Sequence, residues 1–401
     1  MNKPLLWKPF DPEYVRDPYQ MYRILREQDP VHLAQTKEFI ITKYDDVKEI
    51  LKSPSFQSGN RLEWLKRGIQ YFENKEEDFK AIYSAMNSFI LMLNAPGHTR
   101  IRNFVSKAWN DREVDDIIKK NIAKLLAKLP GKQIDIVDDY AQPLPVLTIS
   151  DILGIPTSDY NYLKDLGITM TKTLDLYVSL KDMVQMNDAA RKFIDFFSEQ
   201  VRLKSDKPDE GLLSKLMRKN KADGFGLTEQ EIISISIFLF IAGEETSASL
   251  ISGTIYHLLR HPYQLDLLRQ QPELSASTIE EVLRFDPIVQ LLGRIAKEDY
   301  KIRSKTIPAG STVTLVVGSA NRDETVFDQA DNFVIARQPN RHLAFGTGVH
   351  FCLGDWLGRR QGQLGVQSFL QQYPHLTLVD QEISWYKNLA IRSLQSLRVN
   401  L

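Results

Sequence analysis

The chain of 401 residues contains a single cysteine, Cys352. One thiol excludes an internal disulfide and a multi-cysteine zinc site, and it is compatible with a reducing compartment. No Gly/Ser-rich or Pro-rich linker divides the sequence, and it has no repeat or low-complexity tract. The length therefore allows one large domain or two ordinary ones. There is no excess of either charge: 51 basic and 51 acidic residues leave a formal net charge of zero. A general nucleic-acid binder needs a basic excess, so that class is disfavoured. No apolar run reaches the roughly 20 residues of a bilayer span. The most apolar stretch, 232–242, is interrupted by serines and predicts a buried helix. The opening segment, Met1 to Pro9, is too short and too broken for a signal peptide or a membrane anchor. At 43% hydrophobic and 25% charged residues, the composition is that of an ordinary globular protein.

The lone thiol sits in the run Phe345-Gly346-Thr347-Gly348-Val349-His350-Phe351-Cys352-Leu353-Gly354. Such a cysteine can be buried filler, a nucleophile or a single thiolate ligand to a metal. The glycines before it read as a loop whose backbone passes close to something. Gly354 and the Asp355-Trp356-Leu357 run after it read as the opening of a helix, whose N-terminus stabilises a thiolate. Gly346-Thr347-Gly348 is a poor dinucleotide loop: the third glycine is missing and no βαβ unit surrounds it.

Along the rest of the chain, periodicity predicts helices over 18–29 and 44–51, with a hairpin from Val31 to Thr42 between them. Residues 57–90 are less regular. Helical patterns dominate from about 98 to 285, at 113–128, 139–153, 158–173, 182–204, 210–219, 228–259 and 274–285. Thr228 and Glu231 form a Thr-x-x-Glu capping box, opening a helix of about 30 residues. After Pro287 the pattern changes. Val313 to Val317 is a strand, preceded by a turn over 306–310; a last helix covers 355–373, and short strands follow Leu376. The reading is mainly α with small β-sheets.

Four segments together resemble the cytochrome P-450 family of haem-thiolate monooxygenases. Phe345 to Gly354 matches its haem-ligand loop. Ala242-Gly243-Glu244-Glu245-Thr246 resembles its oxygen-activating helix segment. Glu281-Val282-Leu283-Arg284 resembles its Glu-x-x-Arg motif. Asn94 to Arg102 resembles the start of the helix bearing haem-propionate ligands. Ser319 to Asp323, with Phe327 and Phe333, also follows the family pattern, so the resemblance covers roughly residues 10–400. Two departures lie outside the chemistry: Asn94-Ala95-Pro96 replaces the usual Asp-Pro-Pro, and Gly358-Arg359 replaces Ala-Arg.

The resemblance implies one cytochrome P-450 domain over 1–401, with a long central helix crossing the domain over a buried haem b. Cys352 would be the axial thiolate to iron, favouring O–O cleavage, with Gly346, Gly348 and Gly354 giving the loop its close approach and unusual dihedrals and Phe345 packing beside the sulfur. In the family the threonine hydroxyl and adjacent acid help supply the protons that oxygen cleavage consumes; Thr246 and Glu245 match them, beside Ala242 and Gly243 at the cofactor. Glu244 reads as structural or solvent-linked. The bland alternative for this segment is an exposed Glu-Glu pair and a threonine bonded back to its own helix. Propionate contacts would come from His98 and Arg102, spaced i, i+4, with Arg294 and His350; His342 is a weaker match. Glu281 and Arg284 are structural, joined on their loop by Arg337. His257 and His261 share a helix face but lack the acid of a zinc-protease motif, and read as an ordinary surface pair.

Phe238, Ala242, Ile288, Val289, Leu291 and Leu389 match the substrate-facing regions and give them an apolar lining, as core residues equally would. The implied activity is insertion of one oxygen atom of O2 into a hydrophobic small molecule, by hydroxylation or epoxidation. With no flavin or nicotinamide domain evident, electrons would come from a ferredoxin or flavodoxin with its reductase. Arg100, Lys107, Arg359 and Arg360 are candidates for that docking patch. A monomeric, cytoplasmic enzyme of secondary metabolism is the expectation. The alternatives are a peroxide-driven haem peroxygenase and a non-catalytic haem-binding protein.

Overall fold

The computed structural model describes residues 6–59, 79–109, 114–158, 160–175, 178–224 and 226–401. Part of the irregular segment at 57–90 lies outside these. The chain forms two compact units. One comprises 60–129 and 138–248; the other comprises 1–59, 130–137 and 249–401.

The first unit is helical. Helix α1 (Gly97–Ala108) buries His98, Ile101, Phe104 and Val105 along one stripe, the i, i+3, i+7 spacing of an amphipathic helix. The helix Pro143–Leu153 is mostly apolar and is buried from Pro143 through Ser150. It is followed by α2 (Tyr160–Thr171) and by the long helix Leu180–Asp206, which starts at a complete Ser179/Asp182 capping box. Phe193 stacks on Phe197 and packs 5.6 Å from the ring of Phe240. Phe240 lies on α3 (Glu229–Arg260), which gives its first twenty residues to this unit and its last twelve to the other. The predicted cap is present: Glu231 N–H donates to Thr228 Oγ1 (3.1 Å) and Thr228 N–H to the Glu231 carboxylate (2.9 Å). By length and composition α3 resembles a membrane span, but 78% of its apolar window is buried inside the protein.

The second unit carries the sheets. The largest has the strand order β1 (Val31–Leu33), β2 (Phe39–Ile41), β5 (Thr312–Val316), β4 (Leu291–Ala296), β3 (Phe56–Gln57). The pairing of β2 with β5 is parallel, Phe39 opposite Val313, and the other pairings are antiparallel. Val31, Ile41, Val47, Ile50, Val313 and Leu315 share one buried core with Ala320 and Phe327. Helices α4 (Ser275–Phe285) and α5 (Asp355–Gln372) pack against each other. At Gly362 on α5 an added Cβ would meet Ile279 and Leu250 side chains at 3.1 Å, so the absence of a side chain permits the close approach.

Most predicted elements appear within a few residues of their expected ends. Among those not anticipated are the helix Pro262–Gln270 and strand β4. Both are short and irregular in pattern, and their state is decided by what they pack against.

Candidate functional site

Cys352 lies two residues before the N-cap of α5, partly exposed. The loop leading to it is closed by one backbone bond, Cys352 N–H to Phe345 O at 2.9 Å. Gly346 and Gly348 take φ of 68° and 75°, the left-handed region predicted for a tight loop. A Cβ on Gly348 would sit 2.7 Å from the Leu51 carbonyl oxygen, so the expected close approach is to the helix at Tyr44–Lys52. Gly354 differs from expectation: its φ is −102°, which any residue adopts. His350 is held by Ser58, with Nε2 3.1 Å from the hydroxyl.

Beneath the loop, α4 carries two consecutive glutamates with separate tasks. Glu281 and Arg284 are both fully buried and form a two-bonded pair at 2.8 Å each. Arg337 joins through Nε at 3.1 Å, as the sequence suggests, and Asn340 and the Val334 N–H complete the shell around the carboxylate. Arg284 also donates to the carbonyls of Asn321, Ala330 and Asn332. Glu280 accepts from His342 Nε2 (3.0 Å) and from Arg359 Nε (2.7 Å). Burial opposes its ionisation, but the bonds from His342 and Arg359 outweigh it and hold the carboxyl down at about 2. Sequence reasoning missed Glu280, because its partners lie 62 and 79 residues away. The acidic doublet was the only local signal. His342, a weaker match to a propionate ligand, is instead engaged at both nitrogens, Nδ1 accepting from the Ala344 N–H.

Arg294 on β4 is buried, and its one hydrogen bond is to the adjacent Gly293 carbonyl at 2.8 Å. Among the described residues no carboxylate pairs with it. Burial lowers its pKa to about 10. Ile288, Leu291 and Leu389 are buried and Val289 is partly buried. The structure brings them together: Val289 bridges Ile391, and the Gln290 N–H donates to Ala390 O.

In the helical unit, α1 buries His98, and burial together with the Arg102 charge lowers the His98 pKa. The two side chains are close enough to repel, as i, i+4 spacing requires. On α3, Glu244 and Glu245 are both buried, at 1% and 7% exposure, so an exposed acidic pair is excluded. Thr246 Oγ1 donates to Ala242 O at 2.8 Å, the bond back to its own helix. Gly243 packs on Ile149 at 3.4 Å from where a Cβ would lie. Glu244 is not solvent-linked: it is buried, neither of its oxygens meets a hydrogen-bond partner among the described residues, and it occupies the space that a Cβ on Gly167 of α2 would take. Burial, then the neighbouring Glu245, push this carboxyl well above the usual range. Phe238, partly buried, packs on Phe89 at 5.2 Å between ring centres.

Two readings of charged residues change. His257 and His261 are not a surface pair. His257 is buried with Nε2 3.0 Å from Asp286, and His261 packs on Phe333 at 4.9 Å. Both partners come from later in the chain, which helix periodicity does not register. Of the docking candidates, Arg100 pairs with Glu231, and Arg359 is bound by Glu280 and Asp355 and lies over the Phe345 ring at 4.4 Å. Arg360 donates to Gln363, and Lys107 is exposed.

The chain matches the family model Cytochrome P-450 over residues 161–271 and 268–393. It is 32% identical over 394 residues to the biotin biosynthesis cytochrome P-450 of Bacillus subtilis, covering 96% of this chain and 97% of that one. It is 30% identical to the vitamin D(3) 25-hydroxylase of Pseudonocardia autotrophica, covering 98% and 96%. Among solved structures it resembles P450BioI in complex with acyl carrier protein ligated to hexadec-9Z-enoic acid, with TM-score 0.89, 32% identity and 97% and 99% coverage. A Bacillus megaterium cytochrome P-450 in complex with testosterone gives TM-score 0.85 and 30% identity over 96% and 98%.

Proposed function

The chain belongs to the cytochrome P-450 family, and on that premise we propose that it is a haem-thiolate monooxygenase with Cys352 as the axial ligand. The observation that carries this is the Cys352 loop: a single, partly exposed thiol at the start of a helix, in a turn shaped by two left-handed glycines. The residues suit haem b. A thiolate ligand needs a helix N-terminus or donors nearby, and propionates need cations. Arg294, buried without a carboxylate among the described residues, is a cation suited to an anionic ligand. His98, Arg102 and His350 are the further residues we assign to the propionates, with Ala242, Gly243, Phe345, Gly346 and Gly354 at the cofactor.

Bound haem supplies one-electron chemistry and oxygen activation, and a thiolate donor favours O–O cleavage. One oxygen atom enters a C–H or C=C bond of the substrate and the other leaves as water, consuming two electrons and two protons. The chain's own task is to deliver those protons. Thr246 Oγ1 holds a proton now donated to Ala242 O; rotation about χ1 releases it to a second acceptor. Glu245, buried on the same turn, is the acid that reprotonates it.

The substrate we infer is hydrophobic and of medium to large size: a fatty acid, steroid, terpenoid or polyketide-like metabolite. The relatives named for testosterone and for a carrier-bound fatty acyl chain support this class. So do the buried Ile288, Leu291 and Leu389, with the partly buried Val289 beside them; Phe238 and Ala242 are the further residues we assign to the substrate. A ferredoxin or flavodoxin with its reductase supplies electrons to a monomeric cytoplasmic enzyme of secondary metabolism.

The test is the absorption spectrum of the dithionite-reduced protein under carbon monoxide. The band of thiolate-ligated haem is expected for the wild type and its loss for Cys352→Ala. An imidazole-type band in the wild type would remove Cys352 as the ligand. Substrates are then found by spin-state shift.

A further inference from the structure

Glu280 and Glu281 are neighbours on α4 but point to different sides, about 100° apart on a helix. Glu281 faces inward and closes the Arg284–Arg337 network. Glu280 faces the two ends of the ligand loop. One end is His342, ten residues before Cys352; the other is Arg359, seven residues after it on α5. We propose that Glu280 is a positioning residue for the Cys352 ligand, tying the segment that enters the loop to the helix that leaves it and setting the charge beside the sulfur. This rests on Cys352 being the haem ligand.

The chain of contacts is direct. His342 Nδ1 accepts the Ala344 N–H at 3.2 Å, so its proton is on Nε2 and is donated to Glu280 at 3.0 Å. The ring is thereby a strut between the loop and α4. Arg359 gives Glu280 two bonds, Nε at 2.7 Å and Nη2 at 3.2 Å, and its third arm goes to Asp355. Held this way, the guanidinium lies 4.4 Å from the Phe345 ring centre. Phe345 in turn accepts the Cys352 N–H through its carbonyl at 2.9 Å. The charged groups around Phe345 are therefore Arg359, Glu280 and Asp355, one cation between two carboxylates. Partly buried charges are weakly screened by solvent, so changing any one of them is felt at the sulfur.

Reduction of the haem adds one negative charge beside Cys352. Removing the Glu280 charge leaves Arg359 less compensated and favours the reduced form; removing the Arg359 charge does the opposite. The experiment uses the holoprotein, its midpoint potential and its reduced carbon monoxide spectrum. Glu280→Gln is expected to keep the thiolate band and raise the potential, Arg359→Gln to keep the band and lower it, and the double variant to return towards wild type. The exposed Glu273→Gln is the control. Shifts of the same sign in both single variants, or shifts no larger than the control, overturn the proposal. Should Glu280→Gln take up no haem, Glu280→Asp decides: normal uptake with a thiolate band supports the role of the charge, and equal failure overturns it. A wild type without a thiolate band would instead sink the ligand assignment itself.

Discussion

Arg284 shows what a buried charge costs and returns. It has no exposed surface, and its fork is used on one carboxylate and three carbonyls. Breaking a buried pair by removing one partner strands the other and costs about 3–5 kcal/mol. Arg284→Ala should lose stability of that order in denaturant unfolding, and a loss within about 0.5 kcal/mol, typical of surface sites, would show that Arg337 replaces it. Thr246 is a different kind of residue, since its bond to Ala242 O is local and weak in consequence. Thr246→Ala should leave haem content and unfolding almost unchanged while diverting electrons to hydrogen peroxide. Coupling equal to wild type would exclude the hydroxyl from proton delivery.

Between elements, shape is set by glycines that let backbones or charges come close. Gly348 has φ of 75° and a Leu51 carbonyl 2.7 Å from its missing Cβ. Gly348→Ala should therefore lower haem retention and the thiolate band together, checked by haem content per protein; full retention would mean that the loop slides without cost. At the contact of α3 with α2, the Glu244 carboxyl fills the place of a Gly167 side chain. The charges acting on it are Glu245, Lys164 and Asp165. Its folded pKa is raised, so its stabilising contribution is complete below the ordinary carboxylate range and is lost as pH rises through the raised value. Across that window the wild type should lose stability relative to Glu244→Gln as pH rises, read by urea unfolding of both proteins at each pH. Parallel curves for the two proteins would show that Glu244 is not buried as an acid.

Across the whole molecule the charges balance, and what varies with pH is where the depressed groups sit. Asp286 is buried. Burial raises its pKa, but Arg392, His257 and Tyr19 bring it well below the usual range. Glu280 is held at about 2 against an ordinary 4.5. Both contribute stability that is present above the ordinary carboxylate pKa and lost as pH falls through the folded one. Burial lowers His257, so this base also resists protonation when folded, and its cost begins below its ordinary 6.5. Acid unfolding should therefore start with a shallow loss below 6.5 and steepen below 4.5. Glu280→Gln should differ from wild type above 4.5 and converge with it towards 2, as measured by urea unfolding at each pH.

The ligand loop, the capping box at Thr228, the Glu281–Arg284 pair and the hairpin at Val31 were legible because each is a short-range pattern: spacing, periodicity or turn chemistry within about ten residues. The sequence alone thus determined the family, the mainly helical class and the identity of the sole thiol. What joins distant segments was decided only by the tertiary structure: His257 against Asp286, His342 and Arg359 on Glu280, Glu244 on Gly167, and strand β4 beside β5. Burial of a polar group depends on partners brought by the fold, and a helix face reads the same in sequence whether water or a carboxylate lies opposite it.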